Sequence, residues 1–161
     1  MKLIDQRLGT TLADVLRENA LTCPNREALS EGATRLDWQA LYLRALDMAA
    51  HLRAFGLVKG DRVAVVLGNQ IECLLLYWAC ALSGCVFVGA NPRLGTDELS
   101  FILDHSGASV IFAPPHSAFE GLELSGAREM VVVDATRADN IFARPIDPQS
   151  ETLAFESISS S

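Results

Sequence analysis

The residues able to do chemistry in this chain are few and scattered. There are three histidines, His51, His105 and His116, and four cysteines, Cys23, Cys73, Cys80 and Cys85. Nucleophilic catalysis needs such a ring beside a Ser or Cys in a recognisable local motif, and none is so placed. No C-x-x-C pair occurs, and no Cys/His set has zinc spacing. Three of the cysteines lie inside apolar runs, where a free thiol behaves as a small hydrophobe. Buried, reduced thiols in a cytosolic protein are expected. His51 falls on a helical stretch, His105 at a helix end where a cationic ring meets the dipole, and His116 in a loop after two prolines. Glu72, Asp97 and Glu98 sit at helix starts, which explains them better than general acid–base work. The serines at 157–161 form a tail rather than a nucleophile elbow.

A nucleotide site is the next chemistry to consider. A dinucleotide fold needs G-x-G-x-x-G between its first strand and helix, so that the backbone can approach a pyrophosphate. Here that turn is Leu67-Gly68-Asn69-Gln70, with one glycine. No G-x-x-x-x-G-K-[ST] occurs. Gly68-Asn69 could present helix N–H groups to an anion, but the apolar helix behind it speaks for packing first. No residue is therefore assigned a catalytic, cofactor-binding or metal-binding role.

What must hold such residues in place is a large core. Half of the 161 residues are hydrophobic, and the net charge is -7. An acidic chain with two lysines, Lys2 and Lys59, does not suit nucleic acid or an anionic membrane, which need a clustered basic face. The amino terminus has charges where a signal peptide needs an apolar run. Cys73 to Pro92 carries no charge and could span a bilayer on paper. Gly84 splits it, Asn91-Pro92 closes it, and no Lys/Arg cluster flanks it, so a buried helix followed by a buried strand is the better reading.

The periodicities predict a helix over 11–20 capped by Thr11, then a hairpin over 27–36 turning at Glu31-Gly32. Asp37 caps a long amphipathic helix over 38–55, buried through Trp38, Leu41, Tyr42, Ala45, Met48, Ala49 and Leu52. Gly56 is the left-handed stop. A central strand over 62–67 leads to Asn69, read as an N-cap in a capping box with Glu72. The helix over 70–83 is apolar nearly all round. A second strand spans 85–90, a helix capped by Thr96 runs to about 105, and strands follow at 109–113 and 129–134, with a short helix at 116–124 between them. This order implies an α/β fold, three-layer α/β/α with a mainly parallel sheet, Rossmann-like, plus a short amino-terminal hairpin and helices. Residues 1–134 are expected to form the α/β part. Residues 135–161 read as a linker or frayed tail.

Three segments resemble one known family. Leu36-Asp37-Trp38-Gln39-Ala40-Leu41 resembles an early L-[TS]-Y-x-E-L motif. Lys59-Gly60-Asp61-Arg62-Val63-Ala64 resembles a K-G-D-R-V-A turn and strand. Ala81 to Asn91 resembles L-K-A-G-x-A-Y-V-P-x-[DN], continued by Pro92-Arg93-Leu94. In this order they look like the amino-terminal portion of an acyl-CoA synthetase, a long-chain-fatty-acid–CoA ligase-like member of the adenylate-forming, AMP-binding superfamily. Gly68 and Gly89 stand where that family often has proline.

The resemblance implies activation of a carboxylic acid, fatty in this style of sequence, by ATP and Mg²⁺ to an acyl-adenylate, then transfer to CoA. The family's Ser/Thr/Gly-rich P-K-G loop, acidic metal ligand and catalytic lysine match no position here. The expectation is thus an amino-terminal segment, inactive alone and binding no cofactor itself, with ATP, Mg²⁺ and CoA belonging to the full-length enzyme. Its partner would be the remainder of the ligase chain, or a second copy through an apolar face as a homodimer. No transmembrane segment and no nucleic-acid partner are expected, and the location is cytoplasmic. A short non-catalytic interaction protein and a small nucleotide-binding domain are the competing readings.

Overall fold

The computed structural model describes residues 11–115, 129–134 and 142. Its first helix, α1 (Leu12–Thr22), begins in a reciprocal capping box. The Thr11 hydroxyl accepts from the Asp14 N–H at 3.1 Å, and the Asp14 carboxylate accepts from the Thr11 N–H at 2.9 Å. A hairpin follows, β1 (Glu27–Glu31) and β2 (Thr34–Asp37), turning through Gly32 at φ 55°. Asp37 ends it and caps α2 (Trp38–Ala54) by accepting from the Ala40 N–H at 2.8 Å. The predicted face of α2 is buried, except that Trp38 is only half-buried and Leu43 joins it. The helix stops as predicted at Gly56, φ 77°. There the Gly56 N–H bonds to Arg53 O and the Leu57 N–H to Leu52 O, a Schellman pair.

The remaining elements are β3 (Arg62–Val65), α3 (Ile71–Ser83), β4 (Val86–Gly89), α4 (Thr96–Ser106), β5 (Val110–Ala113) and β6 (Glu129–Val132). Four strands form one parallel sheet in the order β4-β3-β5-β6. The chain goes from β3 outward to β4, then crosses back over β3 to β5, the doubly-wound pattern. One face packs on α2 and α3, with α1 resting on those two helices, through Val63, Val65, Val110 and Phe112. The other face packs Ala64, Val66, Ile111 and Ala113 against Leu99 and Leu103 of α4. The three-layer α/β/α expectation thus stands.

Several local expectations do not. The N-cap of α3 is Gln70, not Asn69, and no side chain of its own sequence caps it. The Asn69/Glu72 box does not form because the chain stays extended through Gln70. The N-cap of α4 is Gly95 and Thr96 is its first helical residue. There the Glu98 carboxylate accepts from the Gly95 N–H at 3.2 Å, so half of a capping box survives without a cap side chain. Helix α3 is not enclosed all round: Ile71, Leu75, Leu76, Ala79 and Cys80 are buried, but Leu74 is exposed. Nor is β4 a buried strand. Among the described residues it is the sheet edge, and Val86 is 45% exposed. The apolar run had suggested enclosure because length and composition cannot tell a core strand from an edge strand.

The short helix expected at 116–124 lies outside the described residues. So does all of 135–161 except Phe142, which is buried against Phe112 with ring centroids 6.5 Å apart.

Candidate functional site

The three segments that looked most like signatures do structural work. In Val58-Lys59-Gly60-Asp61 the Asp61 N–H bonds to Val58 O at 3.0 Å, and the Asp61 carboxylate accepts from the Val58 N–H at 3.0 Å. Gly60 takes φ 93°, which a type II-like turn needs at its third position. Its N–H bonds to Gly84 O at 2.9 Å, tying the entry of β3 to the end of α3. The Lys59 stem lies against Gly84, its Cγ 3.0 Å from where a Cβ would stand. Lys59 is thus a packing residue of the turn. Likewise Asp37 is a cap and Leu41 is core.

What these elements leave open is a groove of about 650 Å³ at the carboxyl ends of β3 and β4. Its walls include Val65, Leu67, Cys73 and Phe87, and its polar groups come from Asn69, Asn91 and Arg93. The register places Val65 beside Gly89, so the two glycines of the sequence comparison, Gly68 and Gly89, come together in this groove. That the two positions line one groove was invisible along the chain. Asn91-Pro92-Arg93-Leu94 is a β-turn on the rim. The Leu94 N–H bonds to Asn91 O at 3.2 Å, and the Asn91 side chain accepts from the Arg93 N–H at 3.0 Å. This leaves the Arg93 guanidinium, on an exposed residue, as the positive group of the rim.

The start of α3, considered above for an anion, holds one already. The Glu31 carboxylate, from the hairpin, accepts from the Ile71 N–H at 2.8 Å. This contact between residues 40 apart had no signal in the sequence, since a cap is sought within a few residues of the helix it serves. A second hollow of about 210 Å³ lies between the hairpin and α3 and shares Asn69 and Cys73 with the first.

The titratable residues do not converge. His51 bonds to Asp47 O of its own helix at 2.9 Å, and His105 stacks on Phe101 at 5.6 Å. His116 lies outside the described residues. Burial raises the Cys73 thiol, and burial with the neighbouring Cys85 pushes Cys80 up to about 12. Neither is a thiolate nucleophile near neutral pH. Among the described residues no group of three or more His, Cys, Asp or Glu could hold a metal. No helix of the described residues is long and apolar enough to cross a membrane.

Residues 16–156 match the family of AMP-binding enzymes. The chain belongs to that family. Over 134 residues it is 33% identical to the long-chain-fatty-acid–CoA ligase FadD13 of Mycobacterium tuberculosis, covering 81% of this chain and 27% of the relative. It is 37% identical over 124 residues to a feruloyl-CoA synthase of an Amycolatopsis species, covering 77% and 25%. The chain therefore spans about a quarter of the length of these curated relatives. Among solved structures it superposes on the N-terminal domain of FACL13 from M. tuberculosis with a TM-score of 0.77, 26% identity, and coverage of 86% and 37%. An anthranilate CoA ligase, AuaEII, shares the fold at a TM-score of 0.76 and 20% identity, covering 86% and 28%. The parallel sheet and its helices are those of the AMP-binding enzymes.

Proposed function

We propose that this chain is the amino-terminal α/β part of an acyl-CoA ligase, and that it is inactive alone. In the whole enzyme a carboxylic acid, fatty in our reading, is activated by ATP and Mg²⁺ to an acyl-adenylate and passed to CoA. The observation that carries this is the family match over residues 16–156, with relatives that join CoA to acids. Residues 1–134 make up the α/β part in this reading. Residues 135–161 are a linker or frayed tail in this reading, and of them Phe142 packs on Phe112.

The groove's own chemistry supports the division of labour. Its polar groups are one guanidinium and two carboxamides, with no carboxylate for a divalent cation. The start of α3 is filled by Glu31 rather than open to phosphate. Neither fits a Mg²⁺–triphosphate, so no step of adenylation is assigned to these residues. What they supply is a rigid sheet end, against which the rest of a ligase can build. The reading places the protein in the cytoplasm, in keeping with free cysteines among the described residues.

The test is direct. Purified chain with a fatty acid, ATP, Mg²⁺ and CoA yields neither AMP nor thioester above background. Turnover by clean protein would sink the proposal. A reading frame that continues past Ser161 into a Gly/Thr-rich P-K-G loop identifies the remaining partner. The second reading, a non-catalytic interaction protein, draws on the exposed Val86, Phe101 and Val132. A frame that stops at Ser161 would favour it.

A further inference from the structure

At Gly56 the chain turns back so that the Leu57 N–H bonds to Leu52 O, five positions earlier, and both leucines are buried. A left-handed stop of this kind sets the side chain after the glycine against one in the last turn of the helix. Gly84 ends α3 with nearly the same backbone, φ 75° against 77°. The residues at the two matching positions are Cys80 and Cys85. Where the end of α2 brings two leucines together, the end of α3 brings two thiols.

Their surroundings hold them there. Cys80 is 1% exposed in the core under α3, and Cys85 is half-buried against the same cluster. The Cys85 sulfur lies 3.7 Å from Val58 O. Burial, and then the nearness of Cys85, hold the Cys80 thiol up. The other two cysteines are differently placed. Cys73 is seven residues before Cys80 on one helix, about 10 Å along its axis, too far for a disulfide. Cys23 ends α1, its thiol donating to Asn19 O at 3.3 Å.

We propose that Cys80 and Cys85 are a reversible oxidation site, closed by hydrogen peroxide into a disulfide that ties the end of α3 to the start of β4. Cys85, the more accessible thiol, loses its proton and attacks the peroxide. The O–O bond breaks, Cys85 becomes a sulfenic acid, and the hydroxide released takes up a proton as water. Cys80 then loses its proton and attacks the Cys85 sulfur. The S–S bond forms, the S–O bond breaks, and a second water leaves. The two thiols give up two electrons and the peroxide takes them. With its thiol pushed up to about 12, about one Cys80 in 10⁵ is ionised at pH 7. Effective molarities of about 10⁵ M and above for well-placed groups offset that scarcity. Ring closure therefore overtakes further oxidation of Cys85. The proposal stands apart from the catalytic reading.

The test uses the folded full chain. It is treated with hydrogen peroxide, unfolded with an alkylating agent to block the remaining thiols, and cleaved between Leu82 and Ser83 for mass spectrometry. Two of the four thiols should disappear, and the chain should lose two hydrogens in mass. The fragments carrying Cys80 and Cys85 should stay joined until dithiothreitol parts them. The bond should form at least about tenfold faster in the folded chain than in urea, because the helix stop aligns the pair. Cys73→Ser should leave the result unchanged. Cys85→Ser should leave Cys80 reduced and open to alkylation after unfolding. Circular dichroism checks that the variants fold, and the fragment map of the parent chain decides the matter if Cys85→Ser does not. Oxygen added to Cys85 with Cys80 still reduced would overturn the proposal. So would a bond that uses Cys23 or Cys73, a bond between two chains, or closure that is no faster in the folded chain.

Discussion

Glu31 is the residue whose role is least visible along the chain and most specific in space. Its carboxylate fills the end of a helix that begins 40 positions later. Glu31→Ala should cost about 1 kcal/mol, the usual worth of a lost cap. Urea unfolding reads the loss, and faster exchange of the Ile71 amide locates it. Cys80 acts through titration instead. Its thiol is held neutral by burial, up to about 12 from an ordinary value of 9.0. The folded pKa is raised, so this contribution is complete below pH 9 and is lost as the pH climbs through 12. Cys80→Ala should flatten the fall in stability over that window relative to the parent, as seen in thermal midpoints from pH 8 upward. Such residues are illegible in a sequence for different reasons. The Glu31 contact depends on tertiary approach, and the Cys80 shift on depth of burial.

At the scale of elements, the sequence was most readable where a single residue type is required by geometry. Gly56, Gly84 and Gly107 end α2, α3 and α4 in left-handed conformations, each where the apolar period stops. Asp37 and Thr11 cap as read. Two starts were misread, at Asn69 and Thr96, because a polar residue one position away competes equally well on paper. Gly56 and Gly84 offer a controlled comparison. Both have φ near the same value, 77° and 75°, but only Gly84 has a neighbour, Lys59, where a Cβ would go. Gly56→Ala should cost about 1 kcal/mol from backbone strain alone. Gly84→Ala should cost more, and Lys59→Ala in the same chain should recover the excess. A double-mutant cycle of denaturation midpoints measures the difference.

For the whole molecule, the parallel sheet and its helices followed from the alternation of strand and helix patterns. The groove did not, because it is made where β3 and β4 end side by side, and strand order is not written in either strand. Nor did the place of Phe142 show: an aromatic in a proline-containing stretch looked like tail, yet it closes on Phe112. Phe142→Ala should destabilise the fold by about 3 kcal/mol. A chain cut after residue 134 should melt lower by a similar amount, whereas a truly detached tail would leave the midpoint unchanged. The strand order also bears on synthesis. The central strand β3 leaves the ribosome before either of its neighbours, and at about 5–20 residues per second it waits seconds for β5. During that interval Val63 and Val65 can meet α2 on one face, while Ala64 on the other waits for Leu99 and Leu103 of α4. The nascent sheet grows outward from its middle, so the interval before β5 arrives is when a chaperone has most to hold.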